Sequence, residues 1–439
     1  MTSDVSPAAS GDNGDGVLTS GAAPGPASEV TSAVVARDSA APVDWRARLG
    51  QPVVILTAMM LISTVAKLWL AATTYGTNDV RYWRTFQDYV VQHGSVTVYR
   101  DIWYYNHPPL MSMFLRAIRP IEPFIPHGFP MAIRLPAITA DAICGFVLYR
   151  LIKACWDPRR ALRAAVIFWC SPVLLLVSGF HGNTDPVFMF LVILAAERLL
   201  LARSALVAGL LMGLAMNIKL VPVMALPAFF FALTNWKDRW RFALAFTIPV
   251  VLGYGYHVAM VPQDMMRNVF GYASQSGTYG LTWFWHSAGV GEVNATFVPW
   301  LKRLMFGLMA LASFLITRPM RQQRAPLSVS GRSMLEALGW TFLLFLVFSP
   351  AFGVQYTAWF VGVSLFLGLA GSALYSLIAG FFLFRVYHFW NRSIFPWEIA
   401  DSDKIGPWRG VESVLGMGLW LFAVAWLVVL VHRKAMRWR

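Results

Sequence analysis

TNDVRYWRTFQDYVVQHGSVTVYRDIWYYNHPPL, residues 77–110, follows directly on the first apolar run and is the longest polar interruption before the chain becomes apolar again. It carries Asp79, Asp88 and Asp101, Arg81, Arg84 and Arg100, and His93 and His107 among aromatic side chains, and it closes on a Pro-Pro turn. So polar a stretch between apolar runs reads as a loop, held by a frame of helices over a cavity at one membrane surface.

The rest of the chain supplies that frame. It is 57% hydrophobic and 13% charged, where a soluble domain is about half apolar and a quarter charged. The expected fold class is therefore all-α, a polytopic integral membrane protein. A net charge of +14 could point to nucleic acid, but the basic residues fall in short clusters between apolar runs, which is topological charge. No nucleic-acid partner is expected. Cys144, Cys155 and Cys170 show neither metal-ligand nor disulfide spacing. Residues 1–44 are rich in Ala, Ser, Gly, Pro and Asp, a composition that buries too little surface to offset ordering entropy. They read as a disordered cytoplasmic tail, and 45–439 as one transmembrane domain.

Apolar runs that approach the ~20 residues of a spanning helix lie at 53–72, 131–152, 164–179, 186–201, 204–217, 220–234, 242–261, 299–317, 334–349, 356–371, 372–390 and 411–431. The expected count is about twelve spans, within a range of 11–13. Pro109 to Ile125 is also apolar, but its charges and prolines make it a surface or re-entrant helix. One set of connections holds Arg46 and Arg48; Lys153, Arg159, Arg160 and Arg163; Arg198 and Arg203; Lys237, Arg239 and Arg241; Arg318, Arg321, Arg324 and Arg332; and Arg433, Lys434, Arg437 and Arg439. The positive-inside rule puts these, with both termini, in the cytoplasm. The opposite face receives the first loop (73–130), the turn 179–185, Asn217 and Lys219, the second large loop (262–298), the turn 349–356 and the loop 391–410. Polar, Gly-rich and aromatic features from distant parts of the sequence thus collect on one extracytoplasmic side.

Several of these residues can carry chemistry. Asp79, beside Arg81, can stay ionised and act as a general base; the plainer reading is the cap of the helix that follows. Asp101 is the rival acid. His107 sits in a turn stiffened by Pro108 and Pro109 and reads either as a surface residue or as a ligand for a hydroxyl or phosphate. His181, Asn183 and Asp185 form a compact polar turn, with Asp185 placed to cap a helix whose first position is Pro186. Lys219 and Arg385 are ionisable groups in apolar sequence, where such residues are costly and are functional candidates by default; each can equally snorkel to the interface. Lys67 and Asp141, both inside apolar runs, read as a structural pair. Gln355 and Tyr356 stand at the mouth of a helix, and His286 ends an aromatic stretch that suits an interfacial belt or a sugar platform. No phosphate-cradling glycine loop and no HExxH, GxSxG or Cys/His zinc pattern is present, so nucleotide use has no support.

The chain resembles the polytopic glycosyltransferases of the GT-C superfamily that use polyprenyl-phosphate sugars, over roughly residues 50–390. Asp79 in the first outer loop matches the place of that family's catalytic base. NHPPL (106–110) is similar to the turn that ends this loop in protein mannosyltransferases and aminoarabinose transferases. AIRLPAITAD (132–141), SGFHGNTDPVFMFLVILA (178–195), NIKLVPVMALP (217–227) and FGVQYTAWF (352–360) resemble the family's later motifs, in the same order. The family's paired acids are replaced here by Asp79-Val80-Arg81.

The resemblance implies a GT-C-like hexosyltransferase in the cell membrane, with mannose as the first guess. It would move the sugar with inversion from a polyprenyl-phosphate donor to a lipid, glycan or protein hydroxyl. Asp79 would be the base, and Arg81, Arg84, Arg100, Lys219 or Arg385 would meet the departing phosphate. His107, His181, Asn183, Asp185, His286, Gln355 and Tyr356 would bind substrate. No cofactor is required, though some relatives use a divalent metal. The alternative of a different class is a secondary transporter or flippase of sugars or lipid-linked sugars. Transporters show repeated halves with polar sites at the midplane, and neither is evident in this sequence.

Overall fold

The computed structural model describes residues 45–272, 276–287, 297–318 and 326–438. The chain divides after Ala47, and Arg48–Arg439 is one compact unit. The expected tail at 1–44, part of the 262–298 loop, and Arg321, Arg324 and Arg439 lie outside the described residues. This unit holds the helical bundle.

After α1 (Trp45–Thr73) come the two-residue strand β1 (Gly76–Thr77), α2 (Asn78–His93), α3 (Thr97–Asp101) and α4 (Pro109–Ile118). The polar loop of the sequence is thus largely helical. The Thr77 hydroxyl accepts the Asp79 N–H and caps α2, and Gly94, at φ 90°, ends it. Val80, Trp83, Gln87 and Val90 are buried at helical spacing on one face of α2. Val80, Trp83 and Val90 join Tyr99, Tyr105, Met111 and Leu115, with Tyr254 and Met265 from further along the chain, in a small core separate from the main one of the bundle. This is why a stretch so rich in charge is ordered: its aromatics supply the apolar face. Pro109 to Ile125 is the short helix α4 followed by a tight turn at Glu122–Phe124.

The bundle continues with α5 (Phe129–Ala132), α6 (Leu135–Cys155), α7 (Pro158–Trp169) and α8 (Pro172–Leu176), which runs into a π-helical turn at Val177–His181. Next are α9 (Asp185–Leu200), α10 (Ala205–Ile218), α11 (Leu226–Ala232), α12 (Trp236–Met260), α13 (Pro262–Met265), α14 (Gly280–Ser287) and α15 (Phe297–Thr317). The last elements are α16 (Leu327–Phe348), α17 (Thr357–Ser364), α18 (Leu369–Asn391), β2 (Ile399–Ala400), α19 (Ser402–Ile405) and α20 (Val411–Trp438). Side-chain caps from Asp157, Ser204 and Asn235 start α7, α10 and α12.

Among the described residues, eight helices are long and apolar enough to cross a membrane: Gln51–Thr73, Phe129–Cys155, Pro158–His181, Trp236–Met260, Phe297–Thr317, Leu327–Phe348, Leu369–Asn391 and Val411–Met436. This supports an all-α polytopic membrane protein, but it is fewer than the twelve spans expected. The apolar runs at 186–201, 204–217, 220–234 and 356–371 are helical but short, with 16 residues in α9, 14 in α10, 7 in α11 and 8 in α17. At 1.5 Å per residue, α9 and α10 reach only about 21–24 Å, short of a ~30 Å hydrocarbon core. Hydropathy reports burial in protein and contact with lipid alike. Every residue of α17 is buried, whereas only 22% of the α1 span is.

Two contacts position the site. Gly209 and Gly213, one turn apart on α10, lie against the backbone carbonyls of Phe242 and Phe246 on α12, where a Cβ would collide. Small residues at this spacing let helices approach closely. β1 pairs in parallel with β2, which brings the 391–410 loop onto the start of α2. The expected Lys67–Asp141 pair is present at 2.7 Å, buried between α1 and α6, and Ser178 donates to the same carboxylate at 2.5 Å.

Candidate functional site

The site begins where α1 ends. Arg134, fully buried at the start of α6, donates to the carbonyls of Ala71, Thr74, Tyr75 and Gly179 and to the Thr74 hydroxyl. One guanidinium thus satisfies backbone groups of two chain segments that have no helical partner there. Gly76, at φ 109°, fits because a Cβ would strike this guanidinium and the Phe180 carbonyl. The Thr77 hydroxyl, besides capping α2, donates to the His181 carbonyl at 2.8 Å. The first loop and the 179–185 turn are therefore locked together.

This lock sets Asp79 against that turn. With Thr77 as the cap, the Asp79 carboxylate is free for other partners and does not cap α2. Its Oδ2 accepts from Asn183 at 3.2 Å and meets His181 Nε2 at 3.0 Å. The Tyr387 hydroxyl of α18 lies 2.8 Å from His181 Nδ1. His181 thus bridges the two, with Nε2 facing Asp79 and Nδ1 facing Tyr387, so the tyrosine fixes the orientation of the ring. Both hydrogen bonds of the carboxylate fall on Oδ2, which leaves Oδ1 available; the side chain is 30% exposed. Burial alone would raise the Asp79 pKa. His181, by charge and by hydrogen bond, then Asn183 and Lys219 outweigh burial and hold the carboxyl below its ordinary value.

Beside it, Asp185 is fully buried at the first position of α9, but its side chain makes no cap. It accepts from Lys219 Nζ at 2.5 Å and from Trp359 Nε1 at 2.7 Å. Lys219 ends α10 and also faces the rings of Tyr356 and Trp359 at 5.4 and 5.2 Å, which stack on each other at 3.9 Å. This lysine is neutralised by its own protein and does not snorkel away.

Asp79, Asn106, His107, Asn183, Lys219, Lys302, Ser349, Gln355, Tyr356 and Trp359 line one cavity of about 880 Å³, walled otherwise mainly by apolar and aromatic side chains. His107 is not a plain surface residue. Its ring packs on Trp83 at 4.0 Å, and burial, then the positive charge of Lys219, lower its pKa to about 3. It is neutral at physiological pH. Among the described residues, no three His, Cys, Asp or Glu side chains converge as a metal site.

Other residues singled out in the sequence stand away from the cavity wall. Arg81 is held by Asp401 at 2.8 Å and Asp403 at 3.4 Å, and Arg84 by Glu122 at 2.6 Å. Arg385 pairs with Glu412 at 2.9 Å, and Arg100 is exposed on α3. Each paired arginine has found a carboxylate within the chain, and none of them lines the cavity. Asp101 is exposed and hydrogen-bonded by Tyr89, so the rival base does not reach the cavity. His286 is exposed on α14. The sequence reading missed Tyr387, although it lies in the same FRVYHFW stretch as Arg385; no local spacing links it to His181. Arg134 was quoted only as part of a motif, and Lys302, a second lysine on the cavity wall, went unremarked.

A search of curated proteins finds no match to this chain. Residues 106–258, about a third of the chain, match the family model described as dolichyl-phosphate-mannose-protein mannosyltransferase; that segment carries His107, His181, Asn183, Asp185 and Lys219 but not Asp79.

Proposed function

We propose that the protein is a membrane glycosyltransferase that moves a hexose, with mannose the first choice, from a polyprenyl-phosphate donor to a hydroxyl acceptor with inversion. The family match of 106–258 supports the mannosyltransferase class. The observation that carries the mechanism is Asp79, ionised, anchored through one oxygen by His181 and Asn183, and set in the wall of a largely apolar cavity. Asp79 Oδ1 takes the proton of the acceptor hydroxyl as that oxygen bonds to the anomeric carbon. The bond from the anomeric carbon to the phosphate oxygen breaks, and its electron pair leaves with polyprenyl phosphate, so a diester monoanion becomes a monoester dianion. Such a leaving group needs positive charge nearby but no proton in the act of departure. Neutral His107 and the Gln355 amide are placed to hydrogen-bond sugar hydroxyls. The reaction is assigned to the extracytoplasmic face of the cell membrane, on the charge asymmetry of the loops.

Purified protein supplied with a panel of polyprenyl-phosphate sugars and labelled acceptors tests this reading. Wild type should form a covalent glycoside, and Asp79→Asn should cut kcat by about a thousandfold or more while donor binding survives. Near-normal turnover in Asp79→Asn sinks the base assignment. Uptake of labelled sugar into vesicles without covalent transfer would favour the transporter instead.

A further inference from the structure

Among the described residues, two aspartates and two lysines stand on or directly behind the cavity wall, and three of the four are accounted for. Asp185 neutralises Lys219, and Asp79 is held by His181 and Asn183. The fourth is Lys302, in the second turn of α15 and within an apolar span. Among the described residues it has no carboxylate or hydrogen-bond partner. A cation in a spanning helix is costly and marks an ion site by default. Its neighbour Arg303 is exposed, while Lys302 is half-buried at the cavity, so this is not a generic basic rim. Met305 and Phe306 flank it on the same wall, and Met224 and Val269 add to the apolar lining.

We infer that Lys302 is the phosphate anchor for the lipid-linked donor, a role the sequence had distributed among Lys219 and the arginines. A cation without a carboxylate partner among the described residues, set among apolar side chains, suits an amphiphile: an anionic phosphate whose prenyl chain runs along Met305 and Phe306. The phosphate gains one negative charge as the glycosyl bond breaks, so Lys302 binds the leaving group more strongly than the intact donor. This inference rests on the glycosyltransfer reading, and its test separates the two.

Binding of farnesyl phosphate to the purified full-length protein in detergent is measured for wild type, Lys302→Gln and Lys302→Arg, with farnesol, inorganic phosphate and phosphatidylglycerol as comparison ligands. Lys302→Gln should weaken farnesyl phosphate about tenfold or more and leave farnesol binding unchanged. Lys302→Arg should recover most of the affinity, and a thermal melt equal to wild type should show each variant folded. Unchanged farnesyl phosphate binding in a folded Lys302→Gln overturns the inference. So does competition by inorganic phosphate or phosphatidylglycerol as effective as that by farnesyl phosphate, since the site would then take any phosphate or any anionic lipid. Transfer activity in wild type with a normal Lys302→Gln leaves the enzyme reading standing without this residue. Lys302-dependent farnesyl phosphate binding with no transfer from any donor leaves the lipid-phosphate site standing without the enzyme.

Discussion

Asp79 keeps its charge because three neighbours outweigh the burial that would neutralise it, and that balance is open to measurement. On the proposed mechanism the base must be ionised, so the acid limb of kcat/KM should follow the folded pKa of Asp79. This pKa is depressed, so activity persists through the usual carboxylate range and is lost only as pH falls below it. His181→Gln removes the first of the lowering influences and leaves burial less opposed. The acid limb should then move to higher pH, read directly from the pH profile; a limb that stays in place would show that His181 does not set the charge. From sequence, the plainer reading made Asp79 the cap of α2; in the structure Thr77 takes that place, which releases Asp79 for other work. The partner that matters most, His181, is 102 residues away, and no local pattern carries that distance.

Helix packing carries the other half of the site. Lys219 is placed by the end of α10, and α10 is placed by its close approach to α12 through Gly209 and Gly213. Asn217, one turn beyond Gly213, donates to the carbonyls of both Gly213 and Pro249 and so ties the same two helices. Gly213→Leu must push the helices apart or displace backbone, at a cost of about 1–3 kcal/mol. A lower thermal midpoint in detergent, with reduced transfer as Lys219 shifts, is the expected result; an unchanged midpoint would mean the contact is loose. The sequence showed α10 as an apolar run and read it as a span. Its hydrophobicity serves contact with α9 and α12 instead, and a run of 14 residues rich in Ala, Leu and Met looks the same for either purpose.

Across the whole molecule, composition was enough to announce a helical membrane protein, and all twelve apolar runs became helices, though eight have spanning length among the described residues. The gathering of polar turns was legible in outline: the 77–110, 179–185, 217–219 and 349–356 segments all contribute to one cavity. Their pairing was not. Arg81, read from sequence as a phosphate partner, is paired with Asp401 and Asp403, more than 300 residues later. That clasp gives a prediction at this scale. Asp401→Ala should speed amide exchange at residues 76–82 and lower transfer about ten- to a hundredfold by loosening the base; unchanged exchange would mean β1–β2 pairing alone suffices. The parallel pairing of β1 with β2 has a consequence for how this protein can be divided. The stretch that the family model recognises, 106–258, contains neither the acid nor the clasp that steadies it. Grafted into another scaffold, it would bring a furnished binding wall with no chemistry attached. A chain cut after α18 would keep every cavity-lining side chain and still lose the clamp on the first of them, so the matched stretch and the proposed site have different boundaries in this molecule.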